Sequence, residues 1–234
     1  MDRSQEVPSL SIVIPTLNEA SRLPLLLADL RTWPYNLDLL VVDGGSTDLT
    51  IFITEIQGFK VLKSFQANRG YQLNKGALKA KGDWFLFLHA DSRLEKKWAD
   101  SLTSIISKSS SEEYVWYFNF KINKSNLQFR ILEFAVALRS RILKRPYGDQ
   151  GILIHKNLYY SSGGYSSLKI MEDIDFITRL GKSNKLKSIK SSIYTDEKKW
   201  INCNIIKRAL KNARLRRKWR QGFDINKLAE EYNL

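Results

Sequence analysis

Residues 37–48 read LDLLVVDGGSTD, and this stretch decides the fold. Its first six residues are almost all large and apolar, which is typical of a β-strand buried on both faces of a sheet. Asp43 ends that strand, Gly44 permits a tight turn, and Ser46 is of a type that caps helices. A helix is predicted over residues 47–56, so the stretch forms the strand–loop–helix unit of a parallel α/β sheet.

The same unit occurs on both sides of this stretch. Further buried strands are predicted at residues 10–14, 60–64 and 84–88, and helices at residues 25–30, behind a Ser21 cap, and 71–80. We therefore expect an α/β fold with a Rossmann-like, mainly parallel sheet flanked by helices. Ligands of such sheets bind outside the carboxyl ends of the strands, so the loops PTLNEA, DGGSTD and HADS form the predicted site.

The chain after residue 120 is less regular. Strands are predicted at residues 114–121 and 152–155, and helices at residues 127–143 and 172–180. Between residues 198 and 220 there are ten Lys or Arg and no acid, which predicts a basic, mainly helical C-terminal extension.

The composition excludes several classes of protein. With 234 residues, 43% of them hydrophobic, the chain has enough apolar material for a compact core, so a wholly disordered protein is excluded. Its one cysteine, Cys203, excludes an intrachain disulfide and a cysteine-based zinc site. The sequence has neither an apolar run of about 18 residues nor an N-terminal secretory pattern. We therefore expect a cytoplasmic protein that is soluble or peripheral.

The charge is unevenly distributed along the chain. The net charge is +14, but residues 1–120 carry 13 Lys and Arg against 14 Asp and Glu, whereas residues 121–234 carry 25 against 10. This second part, at +15, implies an anionic partner: nucleic acid, a membrane surface or a phosphorylated substrate. Composition alone does not choose among them.

Residues 205–220 concentrate this charge, with eight basic residues among apolar ones. They fit a solvated helix face whose Lys and Arg stems cover apolar surface. They also fit a helix on anionic lipid, with residues 127–143 as a second contact, or a helix that binds nucleic acid. Because no recognised nucleic-acid module accompanies them, an anionic acceptor or the inner face of the cell membrane is favoured over nucleic acid.

Each polar loop has a functional and a plain structural interpretation. Asp43 is placed to accept a hydrogen bond from a pyrimidine base or a ribose, yet Ser46 and Asp48 also fit an ordinary strand-to-helix turn. Asp91, after the fourth strand, suits Mg²⁺ or Mn²⁺ beside a diphosphate, or else a helix cap. The acids at residues 172–175 suit either chemistry or the positive end of a helix dipole.

Six motifs taken in order narrow these alternatives. They are PTLNEA (15–20), DGGSTD (43–48), NRGYQLNKG (68–76), GDWFLFLHADS (82–92), GDQG (148–151) and MEDID (171–175). Together, over residues 10–200, they resemble family-2 glycosyltransferases with the GT-A fold. The chain is most similar to a small bacterial subgroup that carries the same DGGSTD and HADS variants, some of which are arsenosugar-type glycosyltransferases.

The resemblance implies a role for each matched residue. Asp173 is the general base that deprotonates the acceptor hydroxyl, and Asp91 is the retained second acid of the metal motif. His89 stands where most relatives have the first acid; it is a metal ligand, a phosphate donor or a structural residue. The residues implied at the nucleotide are Pro15, Leu17, Asn18, Glu19, Asp43, Gly44, Ser46, Arg69 and Gln72. Those implied at the sugar or acceptor are Asp149, Gln150, Glu172 and Trp200.

The resemblance also divides the chain. Residues 1–200 form the GT-A domain, in which residues 1–120 bind the nucleotide sugar and residues 121–200 bind the acceptor. Residues 201–234 form the basic helical extension. The partners implied are a nucleotide-sugar donor and an acceptor that carries a hydroxyl.

The implied reaction is transfer of a sugar from a nucleoside-diphosphate donor, expected to be UDP-linked, to an acceptor hydroxyl. One base on the acceptor side predicts direct displacement with inversion, and Mg²⁺ or Mn²⁺ neutralises the leaving phosphates. A sugar nucleotidyltransferase is the competing enzyme, although such enzymes usually carry a Gly-rich, Arg-containing loop after the first strand. A non-catalytic module that binds nucleotide or an anionic surface is the alternative from another class. A dehydrogenase is disfavoured because no G-x-G-x-x-G follows a strand.

Overall fold

The computed structural model describes residues 8–124, 126–181, 185–195 and 205–233. Its strands are β1 (Leu10–Thr16), β2 (Leu37–Asp43), β3 (Lys60–Lys63), β4 (Trp84–Phe87), β5 (Ser92–Leu94), β6 (Val115–Ile122), β7 (Ile152–His155) and β8 (Leu186–Thr195). Its helices are α1 (Leu23–Leu30), α2 (Thr50–Ile56), α3 (Arg69–Lys79), α4 (Trp98–Ile106), α5 (Leu127–Arg141), α6 (Lys156–Ser161), α7 (Glu172–Gly181), α8 (Ile205–Arg220) and α9 (Ile225–Asn233). Of the helices in these ranges, none has the length and apolar character that a membrane crossing requires.

The strands form a single sheet in the order β3-β2-β1-β4-β7-β6-β8-β5. Strands β1 to β4 run parallel, as the apolar runs predict. Strand β7 runs antiparallel to both β4 and β6, and β8 runs parallel to β6. Strand β5 ends this edge, antiparallel to β8. The first part of the chain thus builds the parallel half of the sheet, and most of the mixed half comes from the second part.

Alternate residues of β1 pack on opposite faces of the sheet. Ile12 and Ile14 belong to a core that includes Leu26 of α1. Val13 belongs to a second core, which includes Leu73 of α3. Because both faces are covered, every position of the strand is buried, and this explains a sequence that is mostly apolar instead of alternating.

Two helices start at other residues than predicted. Ser21 does not cap α1: the N-cap is Arg22, and Pro24 lies in the first turn, where the fixed φ of proline suits a helix. Ser46 does not cap α2, because that helix begins only at Thr50. The residues between β2 and α2 therefore form a longer loop than the sequence suggests.

Two elements between residues 92 and 106 were not predicted. Strand β5 has only three residues, too few for a periodic pattern, and helix α4 was also missed. The basic C-terminal segment is helical over residues 205–220, as predicted, but it is not wholly solvated. Leu215 of α8 and Leu228 of α9 are buried in a small core with Tyr147, Met171 and Ile174.

Close packing of α3 on the sheet yields the first prediction. A methyl group on Gly76 of α3 would lie 2.3 Å from Cγ1 of Val13 in β1. We expect Gly76→Ala to lower the free energy of unfolding by about 1–3 kcal/mol through overpacking. Val13→Ala alone is expected to cost about 2 kcal/mol because it leaves a cavity.

The double variant, measured by urea denaturation, is expected to cost less than the sum of the two single changes. The alanine methyl at residue 76 would occupy space that the valine side chain has vacated. Strictly additive losses would contradict this contact.

Candidate active site

Strands β1 and β2 end level with each other, with Thr16 opposite Asp43. The Oδ1 of Asp43 accepts hydrogen bonds from the hydroxyls of Thr16 and Ser46. Its Oδ2 accepts from the backbone N–H groups of Gly45 (2.9 Å) and Ser46 (2.8 Å). A carboxylate has about four acceptor positions, so the loop occupies them all. Asp43 therefore fixes the DGGSTD loop, and a base reaches its carboxylate only if one of the two hydroxyls rotates away.

Asn18 joins the loop after β1 to the loop after β2. Its φ of 55° is a left-handed conformation, in which asparagine is enriched over most residues. The Asn18 N–H donates to Oγ of Ser46 (2.8 Å), and its Oδ1 accepts from the N–H of Thr47 (2.8 Å). The N–H of Glu19 donates to Oγ1 of Thr50 (2.8 Å). The two loops thus form one continuous rim, which we call the loop rim.

Gln72 of α3 lies beneath the loop rim and is buried. Its amide nitrogen donates to the carbonyl oxygens of Thr16 (2.9 Å) and Val42 (2.7 Å), at the ends of β1 and β2. A methyl group on Gly44 would lie 3.1 Å from that same nitrogen, so the glycine lets the loop approach α3 closely. Gln72 bridges the two strand ends, and its contact with a nucleotide stays a prediction.

Three further residues were predicted to contact the nucleotide from the first loop: Pro15, Leu17 and Glu19. None of them lines the cleft that is described next. Pro15 is buried within β1, and Leu17 is 45% exposed. Glu19 forms an ion pair with Arg22, with 3.3 Å between Oε2 and Nη1. Their contacts with a nucleotide stay predictions.

A cleft of about 290 Å³ is lined by the loop after β4 and by residues of α5, α7 and α8. It brings together five of the predicted site residues: Arg69, His89, Asp91, Asp149 and Asp173. These residues come from four separate motifs along the chain. Four of the six sequence motifs therefore converge on this cleft.

Asp173 lies in the first turn of α7. The N–H of Gly148 donates to its Oδ2 (3.0 Å), and the N–H of Ile174 donates to its Oδ1 (2.8 Å). A methyl group on Gly148 would lie 2.7 Å from Nε2 of His89, so these residues meet at one wall of the cleft. Met171, just before the two acids, has a φ of 65°. Such a strained conformation is typical of functional sites.

Glu172 pairs with Arg69, which is the first residue of α3. Its Oε1 accepts a charged hydrogen bond from Nε of Arg69. The Glu172 side chain is 1% exposed and that of Arg69 is 42% exposed, so water reaches the cation but not the carboxylate. Burial raises the pKa of Glu172. The positive charge of Arg69 acts to lower that pKa, but the effect of burial is larger. Oε2 of Glu172 is buried and has no hydrogen-bond partner among the described residues.

Asp91 and His89 follow β4 and both line the cleft. Within the described ranges, no group of three or more His, Cys, Asp or Glu side chains forms a ready-made metal site. Mg²⁺ and Mn²⁺ commonly bind through one or two protein carboxylates plus phosphate oxygens of the substrate. Asp91, which is buried at the cleft, supplies one such carboxylate.

Gln150 is committed to the protein interior. Its Nε2 donates to the carbonyl of Phe118 (3.1 Å), and its Oε1 accepts from Oγ of Ser140 (2.7 Å). It ties the GDQG motif to β6 and α5, and its contact with a sugar stays a prediction. Trp200 lies outside the described residues.

Sequence reasoning missed one wall of the cleft. The Arg139 guanidinium lies 3.9 Å from the centre of the Tyr147 ring and 3.9 Å from Oδ1 of Asp149. Arg216 of α8 lies over the same ring at 5.7 Å, and burial lowers its pKa. Both arginines belong to basic stretches visible in the sequence. The only signal for Tyr147 is its position directly before GDQG.

Comparisons with known proteins agree with this geometry. The profile described as "Glycosyl transferase family 2" matches residues 11–169. A "PGL/p-HBAD biosynthesis glycosyltransferase" of Mycobacterium bovis is 31% identical over 183 residues, covering 74% of this chain and 69% of the relative. A "4,4'-diaponeurosporenoate glycosyltransferase" of Staphylococcus haemolyticus is 32% identical over 113 residues, covering 45% of this chain and 30% of the relative.

Solved structures share the fold at lower identity. S. aureus TarS 1–349 in complex with UDP-GlcNAc has a TM-score of 0.65 at 21% identity, covering 80% of this chain and 58% of that one. The mannosyltransferase PcManGT from Pyrobaculum calidifontis, in complex with GDP-Man and Mn²⁺, has a TM-score of 0.62 at 16% identity, covering 90% and 61%. The chain thus spans about 60% of the length of these structures. The predicted α/β class and GT-A fold are confirmed.

The pair between Arg69 and Glu172 yields the second prediction. We expect Arg69→Met to lower the free energy of unfolding by about 3 kcal/mol, because it leaves a buried carboxylate without its cation. Adding Glu172→Gln removes the charge of that carboxylate. In guanidinium denaturation, the double variant is expected to recover at least about 1 kcal/mol of the lost free energy of unfolding.

Arg93→Met is the matched control. Arg93 is equally exposed, at 42%, but its partner Asp29 is 15% exposed and also accepts a hydrogen bond from the N–H of Leu94. We expect Arg93→Met to lower the free energy of unfolding by less than Arg69→Met does. Equal losses at the two sites would show that the burial of Glu172 does not matter.

Proposed function

The chain belongs to glycosyl transferase family 2, and from this premise we propose that it is an inverting, metal-assisted enzyme. As a member of that family it is a nucleotide-sugar-dependent glycosyltransferase. The proposed reaction moves a sugar from a UDP-linked donor to an acceptor hydroxyl. The observation that carries the proposal is the meeting of Asp173, Asp91 and Arg69 in one cleft.

Asp173 is the carboxylate of the MEDID motif that remains for the acceptor. Glu172 is committed to Arg69, and Asp175 pairs with Arg179 at 2.9 Å. The two backbone N–H groups that donate to Asp173 hold its carboxylate in place, as a general base requires. In the proposed step the acceptor oxygen bonds to the anomeric carbon, the bond to the diphosphate breaks, and Asp173 takes the hydroxyl proton. Such a direct displacement inverts the anomeric configuration.

Mg²⁺ or Mn²⁺ is the proposed cofactor, held by Asp91 with His89 as a second ligand. The donor set fits, because a carboxylate and an imidazole line the same cleft and the donor phosphates supply further oxygen ligands. When bound, such an ion neutralises charge on the leaving diphosphate. Since His89 replaces an acid, the site carries less negative charge, and metal binding is expected to depend strongly on the phosphates.

A UDP-sugar is the proposed donor. TarS was solved with UDP-GlcNAc and PcManGT with GDP-Man, so this fold accommodates either base. Residues 1–120 are the proposed nucleotide-sugar half, residues 121–200 the acceptor half, and residues 201–234 a basic extension. Pairing of a uracil with Asp43 requires a hydroxyl of Thr16 or Ser46 to turn to another acceptor.

The proposed location is the cytoplasm, at the inner face of the membrane. A single cysteine in 234 residues suits a reducing compartment. The charge of +15 on residues 121–234 suits an anionic surface.

The family match favours sugar transfer over nucleotidyl transfer. A non-catalytic nucleotide-binding module would bind UDP without turnover.

Replacement of the base is the third prediction. Asp173→Asn keeps the shape of the side chain but cannot accept the acceptor proton, so we expect turnover to fall by about 10²- to 10⁴-fold. UDP binding, measured by calorimetry, should change little, because Asp173 contacts the acceptor side. Asp175→Asn is the control in the same helical turn and should keep most of the turnover. Normal turnover in Asp173→Asn would overturn the base assignment.

The fourth prediction concerns the metal. We expect Mn²⁺ to strengthen UDP binding to the unmodified protein in a calorimetric titration, because Asp91 would hold the ion and the ion would neutralise charge on the phosphates. In Asp91→Ala this enhancement should fall by about tenfold or more, while UDP alone should bind both proteins similarly. An identical metal response in both proteins would exclude Asp91 as a ligand.

A further inference from the structure

Helix α5 is apolar on two opposite faces. One face is buried: Phe129 and Val136 pack with Phe120 and Ile122 of β6. The opposite face is exposed, and its large apolar side chains are between 47% and 77% accessible to solvent. They are Leu127, Ile131, Phe134, Leu138 and Ile142. We call this set the α5 stripe.

The α5 stripe is continuous along the helix. Its members are spaced by four, three, four and four residues, which places them on one side of an α-helix about 22 Å long. Large apolar patches are rare on monomeric proteins and mark surfaces that another partner covers. Among the described residues, none packs against the stripe to form a further buried cluster.

Basic residues flank the stripe. Arg130 and Arg141 lie along one of its edges, and the exposed Arg145 follows the helix. The only acid of α5, Glu133, is turned to the protein: its Oε1 accepts from the N–H of Ile122 (2.9 Å) and its Oε2 pairs with Arg130 (2.8 Å). Apolar side chains bordered by cations match the interface of an anionic bilayer, where the helix lies in the plane of the headgroups.

A second copy of the chain is a poorer occupant. A stripe about 22 Å long and 10 Å wide buries roughly 450 Å² over both partners, well under the 1,200 Å² or so of a stable protein interface. A net charge of +14 on each copy also opposes self-association. A bilayer has no such area limit, and its anionic lipids attract the same charge.

The other side of α5 faces the cleft. Leu132, Val136 and Arg139 line it together with Asp173. Because one helix carries both surfaces, docking of the stripe on a membrane places the cleft one helix diameter, ~10 Å, from the headgroups that the stripe enters. We propose that the α5 stripe binds an anionic bilayer and that the acceptor is a lipid of that bilayer with a free hydroxyl in its headgroup. The second half of this statement rests on the proposed function.

Vesicle flotation tests the membrane contact. We expect the full chain to bind phosphatidylcholine vesicles that contain phosphatidylglycerol, at low salt. In Ile131→Ser/Phe134→Ser the partition coefficient should fall by at least about tenfold, since two apolar side chains no longer enter the interface. Phe52→Ser/Ile56→Ser is the matched control, because these residues of α2 are similarly exposed, at 57% and 66%. Its binding should equal that of the unmodified protein.

Two further arms complete the membrane test. Omitting phosphatidylglycerol should weaken binding by about fivefold for each Lys or Arg at the surface. Sedimentation equilibrium reports whether the stripe joins two copies instead. Absence of binding to anionic vesicles, equal binding by the stripe variant, or a dimer that the stripe variant dissolves would each overturn the proposal.

Sugar transfer tests the acceptor. Donor hydrolysis in solution should be unchanged in Ile131→Ser/Phe134→Ser, whereas transfer to lipid extracted from the source cells and presented in anionic vesicles should fall by at least about tenfold. Transfer to vesicle lipid that is unaffected by the stripe variant would overturn the acceptor assignment. If the unmodified protein does not hydrolyse the donor, the proposed function is refuted. The result of the vesicle flotation experiment does not depend on that outcome.

Discussion

The ion pair between Arg69 and the buried carboxylate of Glu172 joins the two halves of the protein at the cleft. Arg69 begins α3, which covers the parallel half of the sheet, and Glu172 begins α7 in the second part of the chain. The contact also needs a glycine, because a methyl group on Gly70 would lie 2.1 Å from the carbonyl oxygen of Ser166. Beside this pair, Asp173 is held at the cleft wall by Gly148, and its carboxylate is the one proposed as the base.

The sequence predicts features that a local pattern encodes, but not contacts between residues that are distant in the chain. The strand at residues 37–43 was predictable because burial on both faces leaves an apolar run that only Asp38 interrupts, and Asp43 was identified because it ends that run. The sequence also identified Arg69 and Glu172 individually. It did not predict their pairing, since 103 positions separate them and no local pattern encodes such a contact.

The antiparallel placement of β7 was likewise unpredictable, because the strand has only four residues and its partners, β4 and β6, are distant in the sequence. Asp43 shows a further limit of motif reasoning. The motif predicts that Asp43 contacts the nucleotide, but only the structure shows that its carboxylate already accepts hydrogen bonds from four donors of Thr16, Gly45 and Ser46.

Helix α5 connects the surface of the protein to Asp173, the proposed base. From the helix, Arg139 stacks on Tyr147 and donates to the carbonyl of Arg145 (3.0 Å), which fixes the segment that precedes GDQG. Gly148, which follows Tyr147 in the chain, donates its backbone N–H to Oδ2 of Asp173. Two side-chain contacts and one backbone hydrogen bond therefore connect α5 to Asp173, the proposed base. If α5 docks on a lipid surface as proposed, the helix that contacts the membrane also supports the residues that hold Asp173.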